Sequence, residues 1–140
     1  MDKSDRPEAA KTYEIPRYPK VWGEEHWIVN RDYCGKKLVL NQGWRCSLHH
    51  HKDKDEVFYV TRGRVLLEYG DGWRVLVPGD AERIAPGMVH RFWGLETSDI
   101  IEFSTHHEED DSYRLETSGA FTQEDLAPFG LTLGAGASPA

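Results

Sequence analysis

The chain has 140 residues, of which 39% are hydrophobic and 29% charged, and these values are typical of one soluble globular domain. Its formal charge of −7 argues against a nucleic-acid partner, because phosphate binding depends on clustered lysine and arginine. No apolar run approaches the roughly 20 residues of a membrane span, and the polar start Met1–Asp5 lacks the apolar stretch of a secretory signal, so we expect a cytoplasmic protein without a membrane partner.

In chain order, residues 1–20 are polar and carry three prolines, which predicts an extended arm. Turn residues then separate nine predicted strands: Trp27–Val29, Lys37–Leu40, Arg45–His51, Glu56–Thr61, Val65–Tyr69, Trp73–Val77, Ala81–Ile84, His90–Trp93 and Ile100–Ser104. Such closely spaced strands indicate an all-β sandwich or barrel with little helix. We assign residues 21–116 to this barrel and residues 117–140 to a partly flexible C-terminal extension, where only Thr122–Leu126 has a helical pattern.

Four residues of the predicted barrel form a candidate metal site. Alternate residues of a strand share a face, so His49 and His51 point to one side while His50 points to the other. A short turn then returns the chain at Glu56, and His90 begins a later strand. Three imidazoles and one carboxylate suit a divalent transition metal such as Zn, Mn, Fe, Co or Ni. We therefore predict one metal ion per chain.

The spacing of these ligands resembles that of a known superfamily. The pattern Gly43-x5-His49-x-His51-x4-Glu56-x6-Gly63 matches the first cupin motif at every position. The second motif is matched by Gly79, Gly87 and His90, with two departures, because its proline is displaced by one to Pro86 and Gly94 stands in the place of its asparagine. The resemblance implies a single-domain cupin, which is a double-stranded β-helix or jelly-roll barrel with a metal site.

A further resemblance concerns the ends of the barrel. Trp22-Gly23 and the segment 101–114, which includes the run Glu109-Asp110-Asp111, look like the mannose-6-phosphate isomerase cupins. That family usually has glutamine at the first ligand position, where this chain has His49. The resemblance implies aldose–ketose isomerisation of a sugar or sugar phosphate, in which a metal polarises the carbonyl and a side chain moves a proton through an enediol.

The same resemblance implies roles for three charged residues. Glu102 is the candidate for proton transfer. Lys54 and Arg114 are grouped with it as catalytic residues, in the role of holding a phosphate or hydroxyl group of the substrate. Each charge also has a structural alternative. Glu102 could pair with Arg45, Lys54 could be solvated in its polar loop, and Arg114 could pair with the acidic segment at Glu108 or Asp110. Six further residues are candidates for substrate binding: Arg45, Ser47, Tyr59, Phe92, Ser104 and His106.

Two other functions remain open at this point. The same ligands with open coordination positions suit an iron(II) dioxygenase, and a metal-assisted module that only binds a sugar or small acid would have the same residues. Small cupins commonly pair, so the resemblance also implies a homodimer.

Overall fold

The computed structural model describes residues 14–134. Within that range the chain forms thirteen strands and two short helices. They are β1 (Arg17–Lys20), β2 (Gly23–Asn30), β3 (Tyr33–Leu40), β4 (Trp44–Arg45), β5 (Leu48–His50), β6 (Glu56–Arg62), β7 (Val65–Tyr69), β8 (Gly72–Leu76), β9 (Ala81–Ile84), β10 (His90–Gly94), β11 (Ser98–Thr105), β12 (Tyr113–Glu116), β13 (Gly119–Ala120), helix α1 (Gln123–Leu126) and a 3₁₀ helix (Ala127–Phe129).

The strands pair in two antiparallel sheets. The first sheet has the order β1-β2-β3-β11-β6-β9, and the second has the order β12-β5-β10-β4-β13, with β7 joining β10 to β8. Both β4 and β5 pair with β10, so they are two parts of one strand that is interrupted at Cys46 and Ser47. Side chains from both sheets meet in one core cluster. The predicted all-β jelly-roll class is confirmed.

The inward face of the first sheet changes from apolar to charged along its central strands. Burial alternates along β3, β6 and β11, as expected for strands with one face toward a core. The apolar inward residues are Leu38, Leu40, Phe58, Val60 and Ile100, and the charged inward residues are Lys36, Glu56 and Glu102. Charged groups are stable in an interior only when they are paired, so the charged end of the barrel is where a functional site is expected.

The outer face of the second sheet is covered by the C-terminal extension. Phe121 and Leu126 pack there against Trp93 in a second apolar cluster. Helix α1 begins after Thr122, where the Asp125 carboxylate accepts hydrogen bonds from the Thr122 N–H (2.8 Å) and hydroxyl (3.3 Å). The predicted flexible tail beyond residue 134 lies outside the described residues.

The predicted N-terminal arm is described only from residue 14, and its residues 17–20 are strand β1, which pairs with β2 at the edge of the first sheet. Among the residues that the structure describes, no helix has the length and apolar character needed to cross a membrane.

One departure from the second cupin motif has a packing reason. Gly94 ends β10 where it meets the turn after β3, and a Cβ built there would lie 2.5 Å from the Asn41 carbonyl oxygen. The neighbouring Gly43 N–H donates to the Gly94 carbonyl at 2.9 Å. A larger residue at position 94 would separate these segments.

Candidate metal centre

Three histidines converge at the charged end of the barrel. The β5–β10 register pairs His49 directly with His90, which places both rings on one face of the sheet. His51 lies just beyond β5 and follows His49 by two residues, so its ring is on the same side. One ring nitrogen from each of these histidines lies within 4.8 Å of the other two. This distance allows all three to bind a single ion.

Glu56, the fourth predicted ligand, lies beside them. Its Oε2 is 3.4 Å from His51 Nε2 and 3.3 Å from His90 Nε2. Among the described residues, neither Glu56 Oε2 nor His90 Nε2 has a hydrogen-bond partner, although both atoms are buried. Buried polar atoms without partners are costly and uncommon. Two such atoms that face each other beside two more imidazoles fit a divalent cation.

Backbone carbonyls orient the three imidazoles. His49 Nδ1 lies 2.7 Å from the Ser47 carbonyl oxygen, His90 Nδ1 lies 3.0 Å from that of Met88, and His51 Nδ1 hydrogen-bonds that of Asp111. A carbonyl only accepts, so each Nδ1 carries the hydrogen and each Nε2 keeps its lone pair. This second hydrogen bond is the usual support of a metal-binding histidine.

The electrostatics also favour the form that binds metal. Burial lowers the pKa of His49 to about 3, and the neighbouring His90 adds to this effect. Burial also lowers the pKa of His51. Burial alone would raise the pKa of Glu56, but the adjacent His90 ring and the charge of Lys54 hold it below its usual range. Neutral imidazoles and an ionised carboxylate are the species that coordinate a cation.

Lys54 connects the candidate ligands to Glu102. The Lys54 side chain is buried, and its Nζ lies 2.8 Å from Glu102 Oε2 and 3.5 Å from Glu56 Oε1. Burial opposes the charge of the ammonium, but the two carboxylates outweigh it and raise the pKa of Lys54 above its usual range. Ser104 Oγ donates to the same Glu102 Oε2 at 2.8 Å. Both donors therefore use one oxygen of Glu102 and leave Oε1 for another partner.

A cavity of about 380 Å³ opens above these groups. Eight of the residues predicted for the site line it: Ser47, His49, His51, Lys54, Glu56, Phe92, Glu102 and Arg114. Arg114 stands opposite His49 in the β12–β5 register, on the same face of the sheet. Among residues 14–134 no acidic oxygen lies within ion-pairing distance of Arg114, so the alternative pairing with Glu108 or Asp110 is not present.

The structure places four predicted substrate-binding residues away from the cavity wall. Arg45 lies over the Trp93 ring at 4.4 Å instead of pairing with Glu102. Tyr59 alternates with an inward residue and is 38% exposed on the outer face. His106 hydrogen-bonds the Arg31 carbonyl oxygen and Glu108 in the exposed segment after β11. Ser104 contacts the site only through Glu102.

Several residues of the cavity were missed by sequence reasoning. Lys36 is buried in the wall, 3.2 Å from Glu25 and 4.3 Å from the centroid of the Trp27 ring. Its alternation with Leu38 and Leu40 on β3 is the signal that could have found it. His107 also lines the cavity and lies 3.0 Å from Lys54 Nζ. The alternation of residues along β11 pointed to His106 instead. Because β11 ends at residue 105, that alternation no longer decides which side chain faces the cavity.

Comparison with known protein families matches the cupin domain to residues 37–113, which is more than half of the chain. The chain therefore belongs to the cupin family. Over 61 residues it is 36% identical to the uncharacterized protein YdbB of Bacillus subtilis (strain 168), a match that covers 43% of this chain and 52% of that protein. The matched region thus spans about half the length of this curated relative.

Two solved structures illustrate the shared fold. KdgF from Halomonas sp. has a TM-score of 0.59 and 24% identity, covering 62% of this chain and 81% of that one. The capsular polysaccharide assembling protein CapF from Staphylococcus aureus has a TM-score of 0.64 and 19% identity, covering 79% of this chain and 34% of that one. At these identities the similarity concerns the fold alone.

Proposed function

We propose that this cupin is a metal-dependent isomerase that interconverts an aldose and a ketose, with a sugar or sugar phosphate as its substrate. The observation that carries the proposal is the buried pair of Lys54 and Glu102, 2.8 Å apart, in the cavity that the candidate metal ligands His49, His51 and Glu56 also line. Isomerisation requires a base that moves a proton between neighbouring carbons and a donor beside the adjacent oxygens. This pair provides both groups.

The metal ligands have one role in this proposal. His49, His51, Glu56 and His90 hold a single divalent ion, which when bound supplies Lewis-acid polarisation of the substrate carbonyl. The donor set suits several first-row metals, so the identity of the ion depends on supply as well as on the site.

Glu102 and Lys54 have separate roles in the proton transfer. Glu102 Oε1 takes the proton from the carbon next to an aldose carbonyl and returns it to the former carbonyl carbon, while Oε2 stays occupied by Lys54 and Ser104. The raised pKa keeps Lys54 charged, so it acts as a donor and not as a base. Its ammonium stabilises the negative charge that develops on the substrate oxygens while the hydroxyl proton passes between them.

The cavity wall is suited to a small polar substrate. Its volume of about 380 Å³ is in the range of pockets that enclose one small molecule. Phe92 and Ser47 offer an apolar wall and a hydroxyl, and Arg114 offers a guanidinium that no described carboxylate occupies. A guanidinium recognises a phosphate or vicinal hydroxyl groups through parallel hydrogen bonds.

The experiment uses protein purified without chelator, with its metal content measured, and a panel of aldoses and sugar phosphates in D₂O. Proton NMR then follows deuterium incorporation at the carbon next to the carbonyl, which reports proton transfer before net conversion. We expect Glu102→Gln to lower this rate by at least about 100-fold with metal content unchanged. Asp99→Asn, on the outward face of the same strand, is the matched control.

The alternatives give different results in the same preparation. Retained exchange in Glu102→Gln would remove Glu102 from the mechanism. Oxygen consumption that requires iron would instead indicate the dioxygenase. Thermal stabilisation by a sugar without exchange in any panel member would indicate a binding module.

Two expectations from the sequence analysis are kept within the proposal, namely that the chain forms a homodimer, as the family resemblance implies, and that it acts in the cytoplasm. Light scattering of the purified protein measures the first, and fractionation of cells that express the chain measures the second.

A further inference from the structure

Two successive His–Glu pairs follow strand β11, and they face opposite ways. His106 Nε2 lies 2.7 Å from Glu108 Oε1, and the His106 side chain is 44% exposed. His107 Nε2 lies 2.8 Å from Glu109 Oε1, but the His107 side chain is only 10% exposed and lines the cavity. The pair at the cavity has a third partner, because His107 Nδ1 lies 3.0 Å from Lys54 Nζ.

The hydrogen-bond chain has a defined direction. An ammonium group has three N–H donors and no acceptor, so His107 Nδ1 must accept from Lys54. The ring hydrogen of neutral His107 is then on Nε2, which donates to Glu109. On the other side Lys54 donates to Glu102 at 2.8 Å. Two of the three ammonium hydrogens are thereby committed, and the third is left for Glu56 or for a substrate oxygen.

The position of His107 is itself fixed from strand β2. Its backbone N–H donates to Asn30 Oδ1 at 2.9 Å, and the Asn30 amide donates back to the His107 carbonyl at 3.1 Å. The Trp27 ring packs against the imidazole in a T-shaped arrangement, with 5.3 Å between ring centroids. The backbone, the ring and both ring nitrogens of His107 therefore each have a partner.

We propose that His107, held by Glu109 and Asn30, is the positioning residue that aims the Lys54 ammonium at Glu102 and into the cavity. A lysine side chain is a flexible four-carbon stem, and without His107 it would keep only one strong directional partner. The catalytic consequence rests on the proposed isomerase function, whereas the hydrogen-bond chain is a property of the protein alone. The two are tested separately.

The first test does not depend on activity. Nitrogen-15 NMR of protein labelled at histidine and lysine reports which ring nitrogen carries the hydrogen, and the His107 signals are assigned by their loss in His107→Leu. We expect the Nε2–H form with a hydrogen-bonded Nδ1, together with a slowly exchanging Lys54 ammonium signal that disappears in His107→Leu. The Nδ1–H form, or a Lys54 signal that is unchanged in His107→Leu, would overturn the proposal.

The second test measures kinetics on a substrate from the isomerase panel. We expect His107→Leu to lower kcat on the order of 100-fold, with KM changed less than about threefold and metal content and thermal midpoint retained. His107→Asn places an amide oxygen near the former Nδ1, so it should recover at least about tenfold of that loss. Equal rates for the two variants, or a loss that appears only in KM, would contradict a positioning role.

Glu109→Gln tests the same chain without touching the cavity side of the imidazole. It should lower kcat by about threefold to tenfold, because a neutral acceptor holds Nε2–H less strongly. Its matched control is Glu108→Gln, which removes the carboxylate of the outward pair and should leave kcat unchanged. If wild-type protein catalyses no exchange, the proposed function fails, and the ring tautomer and lysine signal still decide whether His107 positions Lys54.

Discussion

Replacing Asp111 with asparagine should destabilise the loop that joins the candidate metal ligands His51 and Glu56. The Asp111 carboxylate accepts three backbone hydrogen bonds, from Lys52 N–H at 2.7 Å on Oδ1 and from the N–H groups of Asp53 and Lys54 at 3.1 Å on Oδ2. Its own carbonyl accepts from His51 Nδ1. One residue thus holds both the turn that carries Lys54 and the ring of a candidate ligand.

The size of the effect follows from the geometry. If the asparagine keeps its oxygen at the Oδ1 place, its NH₂ group faces two N–H donors and two hydrogen bonds are lost. If the amide is flipped, one bond is lost. At about 1.5 kcal/mol for each bond to a charged group, the expected loss of unfolding free energy is about 1.5–3 kcal/mol. The displaced His51 ring should also lower metal affinity by about 10–100-fold.

Urea unfolding in the presence of a chelator measures the stability change without a contribution from metal, and calorimetric titration with Zn²⁺ or Mn²⁺ measures affinity. The control is Asp110→Asn, the exposed neighbour. If the urea midpoint of Asp111→Asn equals that of Asp110→Asn, the three backbone bonds contribute nothing and the reasoning is refuted.

Three further predictions concern other parts of the site. Burial would raise the pKa of Glu25, but the charges of its lysine neighbours outweigh burial and lower it, so Glu25→Gln should cost about 1–3 kcal/mol at pH 7. The stability difference between wild type and Glu25→Gln should shrink as the pH falls below 4.5, the ordinary pKa of a glutamate, toward the lower pKa of folded Glu25. A difference in urea unfolding that does not change with pH would contradict this. Adding a divalent ion to chelator-treated protein should raise the thermal midpoint. His49→Ala should abolish this shift and His50→Ala should retain it, so equal shifts in the two variants would argue against the ligand assignment. Burial raises the pKa of the Cys46 thiol to about 12, so a thiol reagent should leave Cys46 unlabelled in the native protein and label it after denaturation, as peptide mass spectrometry can show.

The fold class and the grouping of the candidate metal ligands were predictable from the sequence because both depend on local pattern. Val65–Tyr69 and Ala81–Ile84 are strands with the predicted bounds. Because His49 and His51 are two residues apart on an extended segment, they lie on one face independently of how the other strands pair. The predicted strand Arg45–His51 is instead broken into β4 and β5, and β1, β12 and β13 were missed because they are short edge segments stabilised by pairing rather than by an apolar pattern.

Tertiary structure decided which charged groups meet. The sequence suggested Arg45 as a partner of Glu102, but Lys54 takes that place because the turn held by Asp111 directs its side chain inward. His107 lies 53 residues from Lys54 in the chain, beyond the end of β11, where alternation no longer predicts which residue faces the cavity. Strand periodicity specifies a face only while the strand continues, so the direction of loop side chains depends on contacts between segments that are distant in sequence.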